Sequence, residues 1–222
     1  MARALVVQHA AHEGLGWFQD WLPAMALDVH PIHPYLGHRV PATVEGDALI
    51  VLGGPMGAND DDTVPWLPGT RELLATAIDD GVPTLGICLG AQLLAVAAGG
   101  VVETGANGPE LGLGTVEVVE SDHLLPEGTL PVVHWHHDTV TKLPSDAVLL
   151  ASSDAYRVQA YRVGDVAWGL QFHVEATPEM VRDWARHDHV DPEVVDPVRF
   201  REGDLRDAGA QIAERFARIV TG

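Results

Sequence analysis

Cys88, the only cysteine of the chain, lies between two glycines, Gly86 and Gly90, in the segment TLGICLGAQ. An apolar run precedes it and a helical pattern follows it, which predicts a strand-to-helix junction. G-x-C-x-G has the spacing of a nucleophile elbow, a turn so tight that the residues two places away lack side chains. Such a turn lifts a sulfur above the sheet and aims backbone N–H groups at a reacting carbonyl group. A different interpretation is a small buried cysteine in a glycine-rich strand.

A cysteine nucleophile needs a base, and the segment QFHVEATPE offers His173 and Glu175. Alternation of large apolar residues over VAWGLQFHV (166–174) predicts a strand, and residues 173 and 175 then share one face. The imidazole ring would deprotonate the thiol and later protonate a leaving amine, while the carboxylate orients the ring. A lone histidine is usually structural or solvated, whereas a His–Glu pair that reaches Cys88 predicts a catalytic triad.

The elements that must position these residues follow from hydrophobic periodicity. Three apolar runs predict buried strands: 4–8, 48–52 and 84–88. Helices are predicted over 68–81 and directly after Cys88. This alternation of strands and helices favours a three-layer, flavodoxin-like α/β fold, with a mostly parallel sheet and helices on both faces.

The second half of the chain has a different pattern. From about residue 111, short alternating runs predict an added antiparallel β portion, and two helical segments close the sequence. The Pro- and Asp-rich stretch 188–204 is predicted to be a surface loop. No linker or repeat divides the chain, so 1–222 is interpreted as a single domain.

Composition excludes several classes of function. The chain has 32 acidic and 13 basic residues, a formal charge of −19, so we expect it to bind neither nucleic acid nor an anionic membrane surface. No apolar stretch reaches the roughly 18 residues of a membrane span, and the first residues do not resemble a signal peptide. A single cysteine excludes an internal disulfide, which favours a reducing, cytoplasmic location.

Three motifs together resemble those of the class I, or triad, glutamine amidotransferases. GICLGAQ is similar to the family's G-x-C-x-G-x-Q nucleophile motif, and QFHVEATPE to its F-H-x-E motif. VLGGPMGAND (51–60) is similar to the Gly-Gly-Pro loop that follows an earlier strand. The motifs occur in the family's order and cover positions 48–179, which is most of the chain.

The resemblance implies a reaction and a role for each triad residue. Cys88 would attack the γ-amide carbon of glutamine to give a γ-glutamyl thioester, and water would hydrolyse this to glutamate after ammonia has left. His173 would act first as base and then as acid, and Glu175 would orient it. No cofactor and no metal is implied.

The resemblance also implies which residues surround the substrate. The backbone N–H groups of Leu89 and Gly54 would form the oxyanion hole, and Gly53 and Pro55 belong to the same substrate-facing loop. Gln92 matches the family's glutamine after the second glycine, which helps hold the α-amino-acid end of the substrate. Many relatives carry a bulkier residue where Ala91 stands, so we expect the pocket wall to differ there.

A second cluster of candidate ligands lies in the segment HWHHD. His134, His136 and Asp138 form H-x-H-x-D, most of a zinc-hydrolase motif, but Thr139 stands where that motif continues with histidine. Further ligands are not evident in the sequence. A catalytic metal is therefore not predicted, and His136 is expected to line the glutamine pocket. A zinc hydrolase is kept as a remote hypothesis.

Two more hypotheses stay open. Hydrolysis of γ-glutamyl peptides or γ-glutamyl amines would use the same chemistry at Cys88 with a different leaving amine. A non-enzymatic regulatory module is disfavoured, because the whole triad and Gln92 are present. The overall pattern is closest to stand-alone proteins that resemble the amidotransferase domain of GMP synthetase. No synthase motif is evident, so a separate synthase subunit is the expected acceptor of ammonia.

Overall fold

The computed structural model describes all 222 residues, which form eleven strands and six α-helices. The strands are β1 (Ala2–Val7), β2 (Leu27–Ile32), β3 (Ala48–Val51), β4 (Thr84–Ile87), β5 (Val101–Thr104), β6 (Glu110–Val118), β7 (Gly128–His136), β8 (Asp138–Lys142), β9 (Ala147–Ser152), β10 (Ala160–Val163) and β11 (Ala167–Leu170). The helices are α1 (Phe18–Ala24), α2 (Leu67–Asp79), α3 (Leu89–Ala97), α4 (Pro178–His187), α5 (Val195–Phe200) and α6 (Glu202–Thr221). None of these helices is both long and apolar enough to cross a membrane.

Nine strands form one sheet in the order β2-β1-β3-β4-β11-β10-β9-β6-β7. The strands from β2 to β11 in this order are parallel, and those from β10 to β7 pair antiparallel to their neighbours. Strands β5 and β8 form a separate two-stranded ribbon. The predicted α/β fold with a parallel sheet and an added antiparallel portion is confirmed.

The continuous apolar runs of the parallel strands are explained by burial on both faces of the sheet. In β3, Ala48 and Ile50 face one apolar core, while Leu49 and Val51 face the other. Helices α1 and α6 cover the first face, and α2 and α3 cover the second. A strand buried on both sides has no polar face, so its sequence does not alternate.

The stretch 188–204 is not the loop that its composition predicts. It contains a 3₁₀ turn at Pro192–Val194, all of α5 and the start of α6. Val195 and Val198 of α5 are buried in an apolar cluster. Proline and acidic residues are common in the first turn of a helix, so a composition rich in both marks helix starts here rather than a loop.

The strand predicted over 166–174 is also shorter than expected. β11 ends at Leu170, because its neighbours leave the sheet there: Leu170 pairs with Ile87, the last residue of β4, and with Ala160, the first of β10. Beyond that point, the backbone of His173 forms an isolated bridge with Val133 of β7. His173 is therefore held by β7 rather than by a continuation of its own strand.

Candidate active site

Cys88 occupies a strained turn between β4 and α3. Its backbone has φ 51° and ψ −107°, a conformation that residues with a Cβ rarely adopt. Its N–H group donates to the carbonyl oxygen of Leu170 at 2.7 Å, which ties the turn to the end of β11. The strained residue lies directly before the first turn of α3, so the sulfur is next to the positive end of that helix.

The two glycines beside Cys88 are required by close contacts. A Cβ at Gly86 would lie 2.6 Å from the carbonyl carbon of Gly90, and a Cβ at Gly90 would lie 2.0 Å from the carbonyl oxygen of Val51. Both distances are far below van der Waals contact with backbone that has no room to move. The G-x-C-x-G spacing is therefore a consequence of how closely α3 returns onto β3 and β4.

His173 and Glu175 form a buried pair next to this turn. His173 Nδ1 and Glu175 Oε1 are 2.7 Å apart, and Trp184 packs on the imidazole ring with its centroid at 4.6 Å. The other ring nitrogen, Nε2, is buried and has no hydrogen-bond partner. A Cβ placed at Gly53 would lie 3.1 Å from His173 Cε1 and 3.7 Å from Cys88 Cβ, so the two side chains flank the same glycine.

The surroundings of His173 favour its charged form. Burial alone would lower its pKa, but the Glu175 carboxylate and the Cys88 sulfur raise the pKa well above its usual value. The net effect is a ring that holds its proton at neutral pH. An imidazolium ion beside a cysteine sulfur favours the thiolate, which is the attacking form.

Two glutamines connect the sulfur to the turn between β7 and β8. Gln171 Nε2 lies 3.8 Å from Cys88 Sγ, and Gln171 Oε1 accepts from Gln92 Nε2 at 3.2 Å. Gln92 Nε2 also donates to the carbonyl oxygen of Asp138 at 3.0 Å. Both N–H bonds of the Gln92 amide are thus used within the protein, and only its oxygen is free to accept from a substrate.

The predicted oxyanion hole consists of the backbone N–H groups of Leu89 and Gly54. Leu89 is the first residue of α3, and the N–H group of Gly54 makes no hydrogen bond within the chain. Their segments pack tightly, since a Cβ at Gly54 would lie 2.8 Å from Leu89 Cδ2 and 2.6 Å from Met56 Sδ. A glycine at position 54 thus allows its loop to approach the start of α3.

A cavity of about 260 Å³ opens beside Cys88. Five of the predicted site residues line it: Gly54, Pro55, Cys88, Gln92 and His136. The other four, Gly53, Leu89, His173 and Glu175, are not among its lining residues. The lining also includes residues that the sequence did not suggest: His12, Glu13, Trp184 and Asp188.

Glu13 is the functional candidate that sequence reasoning missed. It follows β1, is only 7% exposed, makes no side-chain hydrogen bond, and lines the cavity. Burial, with smaller contributions from Glu175 and Asp188, raises the pKa of Glu13 to about 7, against a lowering effect of His173. No motif surrounds Glu13 in the sequence, and only the packing of the β1–α1 loop against Gly53 brings it to the site.

The HWHHD segment does not form the cluster that its spacing suggests. Asp138 Oδ1 accepts from Thr104 Oγ1 at 3.0 Å and is not grouped with the histidines. Glu110 of β6 takes its place, and the ligand atoms of Glu110, His134 and His136 lie within 4.8 Å of one another. Burial lowers the pKa of His134 to about 4, so this ring is neutral at physiological pH.

Comparison with known proteins identifies the family. Residues 26–183 match the model of the class I glutamine amidotransferases. One subunit of the glutamine-hydrolysing GMP synthase from Sulfolobus acidocaldarius is 40% identical over 136 residues, which are 59% of this chain and 68% of that protein. Gamma-glutamyl peptidase 4 from Arabidopsis thaliana is 31% identical over 62% of this chain and 57% of its own length.

A solved structure superposes on this chain over almost its whole length. A glutamine amidotransferase from Thermotoga maritima aligns with a TM-score of 0.87 and 28% identity, covering 99% of this chain and 98% of the other. The chain therefore belongs to the class I glutamine amidotransferase family, as its three motifs indicated, and it is an enzyme of that class.

Proposed function

We propose that the chain hydrolyses the γ-amide of glutamine with Cys88 as nucleophile, His173 as acid–base residue and Glu175 as the residue that orients it. The observation that carries this proposal is the strained Cys88 backbone beside the buried His173–Glu175 pair, at the wall of a cavity. Backbone strain persists only where the surrounding structure holds it, and strained residues cluster at active sites.

In the first half of the reaction, the Cys88 sulfur attacks the γ-carbonyl carbon. The negative charge that develops on the oxygen is stabilised by the backbone N–H groups of Leu89 and Gly54. His173 donates its proton to the amide nitrogen, the C–N bond breaks, and ammonia leaves a γ-glutamyl thioester on Cys88.

In the second half, water attacks the thioester. His173, now neutral, accepts a proton from the water as the new C–O bond forms. The same two N–H groups stabilise the second oxyanion, the C–S bond breaks, and glutamate leaves. Glu175 holds the imidazole ring through Nδ1 throughout, so that Nε2 remains available for proton transfer.

The α-amino-acid end of glutamine is assigned to the end of the cavity formed by Gln92 and His136. The free carbonyl oxygen of Gln92 suits a substrate ammonium group, because its two N–H bonds are already used by Gln171 and Asp138. The γ-amide would then lie over Cys88, in the cavity that Glu13 also lines.

A separate synthase subunit is the proposed acceptor of the ammonia. The archaeal relative carries the name of one subunit of GMP synthase, which supports a division of labour between two chains. On this proposal, partner binding reorients the Gly53-Gly54-Pro55 loop and raises turnover, and the isolated chain is a slow glutaminase. We place the activity in the cytoplasm, because catalysis needs the only cysteine in its reduced form.

The second candidate is a γ-glutamyl amide with a larger leaving amine, and the polar lining of the cavity favours it. Besides Cys88, the cavity of about 260 Å³ is lined by His12, Glu13 and Asp188, which the amide of glutamine does not need. The Asp188 carboxylate, together with the ionised fraction of Glu13, disfavours a peptide leaving group, which carries a carboxylate of its own, and favours an amine with a cationic tail. Among substrates with a larger leaving group, γ-glutamyl amines are therefore preferred.

Steady-state kinetics on the purified chain separate the two candidates. We expect glutamine to have the highest kcat/KM in a panel with γ-glutamyl amides of cationic amines and γ-glutamyl dipeptides. A tenfold preference for a larger amide, about 1.4 kcal/mol in the barrier, would establish the second candidate instead. In that case Glu13→Gln should lower kcat/KM for substrates with a cationic leaving amine relative to kcat/KM for substrates with a neutral one. Cys88→Ala is the blank for every substrate.

A further inference from the structure

A second group of polar side chains lies on the hairpin of β6 and β7, and one of its members, His136, also lines the cavity beside Cys88. In the register of this pair, Glu110 lies opposite His136 and Gly112 lies opposite His134. Glu110 Oε2 is 3.1 Å from His136 Nε2 and 3.9 Å from His134 Nδ1. Residues two apart on a strand share a face, so both rings point to the same carboxylate.

One of these ligand atoms has no partner. His134 Nδ1 is buried and makes no hydrogen bond, and its residue is only 4% exposed. An unpaired buried nitrogen is costly unless something not seen among the protein atoms satisfies it. The position of the ring is specific, since a Cβ at Gly114 would lie 2.4 Å from His134 Cδ2. Only glycine leaves room for the ring at this place.

The other atoms of the group are held by outer hydrogen bonds. His136 Nδ1 is 3.0 Å from the carbonyl oxygen of Asp138, which can only accept, so Nδ1 is the donor there and Nε2 is the nitrogen that faces Glu110. Glu110 Oε1 accepts from Ser153 Oγ at 2.8 Å, and Gln159 Nε2 donates to Glu110 Oε2. Metal-binding histidines and carboxylates in proteins are usually oriented by such contacts.

The group also faces open space. A polar cavity of about 490 Å³ lies against it and is lined by Glu110, His134, Ser153 and Asp154, among others. This cavity is larger than the one beside Cys88 and shares no lining residue with it. It gives a water molecule or another small ligand access to Glu110 and His134, while His136 lines the cavity beside Cys88.

We propose that Glu110, His134 and His136 bind a divalent ion of the zinc type, with the fourth position open to the polar cavity. Two imidazole nitrogens and one carboxylate oxygen are a common zinc ligand set, with metal–ligand distances of about 2.0–2.2 Å. Glu110 Oε2 is 3.1 and 3.9 Å from the two ring nitrogens, short enough for one ion to contact the oxygen and either nitrogen, and all three ligand atoms lie within 4.8 Å of one another. The sequence did not reveal the site because its third ligand comes from β6 and not from the HWHHD segment.

The ion would join β6 to β7 and hold the turn at 136–138, where Gln92 is anchored. Its proposed role is structural: it would fix His136, which lines the glutamine cavity, and take no part in the thiol chemistry itself. The test uses chelator-treated, metal-free protein titrated with zinc chloride by calorimetry, and with cobalt chloride by visible absorption. We expect one equivalent to bind, a higher melting temperature with zinc, and cobalt bands of a tetrahedral site.

Two ligand variants and two controls test the assignment. Glu110→Gln and His134→Gln should each weaken zinc binding at least tenfold and reduce the cobalt bands, while Asp138→Asn, the control from the sequence motif, should change neither. Cys88→Ala should bind zinc as the parent does. Weak or unsaturable zinc binding, equal binding by all variants, or loss of binding in Cys88→Ala would each overturn the proposal. Circular dichroism of each metal-free variant shows whether it is folded.

Discussion

His173 and Glu175 are separated by one residue, yet they lie beyond the end of β11, and their side chains meet at 2.7 Å in a fully buried position. The backbone of His173 is held by Val133 of β7, the strand at one edge of the sheet, and Trp184 packs against its ring. The pair therefore depends on β7 and α4 for its geometry. This arrangement holds one ring nitrogen against a carboxylate and leaves the other towards Cys88.

Replacing the nucleophile should remove activity without unfolding the protein. We expect Cys88→Ala to lower glutamine turnover by at least about a thousandfold, because no other side chain at the site can form the thioester. Glutamate release measures the loss, and thermal unfolding checks the fold. Turnover like that of the parent in a folded Cys88→Ala protein would rule out this mechanism.

Replacing His173 and replacing Glu175 should reduce activity to different extents. His173→Ala should be nearly as inactive as Cys88→Ala, because His173 transfers protons in both steps, whereas Glu175→Gln should lose only about ten- to a hundredfold. Glu175 raises the pKa of His173, so this pKa should be lower in Glu175→Gln. The alkaline limb of the pH profile should therefore move to lower pH in the variant. The pH profile of kcat/KM measures this shift. An unshifted profile would argue that Glu175 only supports packing.

Larger residues should not be tolerated at the glycines of the Cys88 turn, for steric reasons. Gly90→Ala places a Cβ 2.0 Å from the Val51 carbonyl oxygen, so α3 and the Cys88 turn must move. We expect a loss of several kcal/mol in the free energy of unfolding, together with loss of turnover. Gly99→Ala is the matched control for contacts, because no atom lies within 4 Å of a Cβ there; its strain comes from φ alone. Equal stability of Gly90→Ala and the parent would contradict the packing described.

Glu13 should make the protein less stable as pH rises. Its pKa is about 7 in the folded protein, against an ordinary value of 4.5. Between these pH values the folded chain keeps a proton that the unfolded chain has lost, so stability falls as pH rises through this range, by up to about 3 kcal/mol. Glu13→Gln should remove this dependence and be the more stable protein at pH 8. Denaturant unfolding at pH 4.5 and pH 8 measures the free energy of unfolding of both proteins. The same pH dependence in the variant as in the parent would refute the prediction.

The predictable part of the fold is the part governed by local pattern. Apolar runs such as 48–52 predicted the central strands because those strands are buried on both faces. The helix α1 and the strand β2 were missed, since Pro23 lies inside the helix and Pro31 inside the strand. Proline disrupts both patterns, and β2 tolerates it because it is an edge strand.

The predictable part of the site is likewise the part encoded in short motifs. Cys88 was identified by its G-x-C-x-G motif, and His173 and Glu175 by their i, i+2 spacing, which places both on one face of a strand. Glu13 and Glu110 reach their sites only through the packing of distant segments, a loop against Gly53 and a strand pairing with His136. Acidic residues are abundant in this chain, so composition gave no reason to select these two.

The most direct test of the account is covalent labelling of the purified chain with a glutamine-analogue electrophile, read out by mass spectrometry. We expect one adduct per chain on Cys88, loss of activity in proportion to labelling, and protection by excess glutamine. His173→Ala should label far more slowly, because its sulfur lacks the imidazolium that favours the thiolate. No adduct on Cys88, or labelling that glutamine does not slow, would contradict the assignment of both nucleophile and pocket.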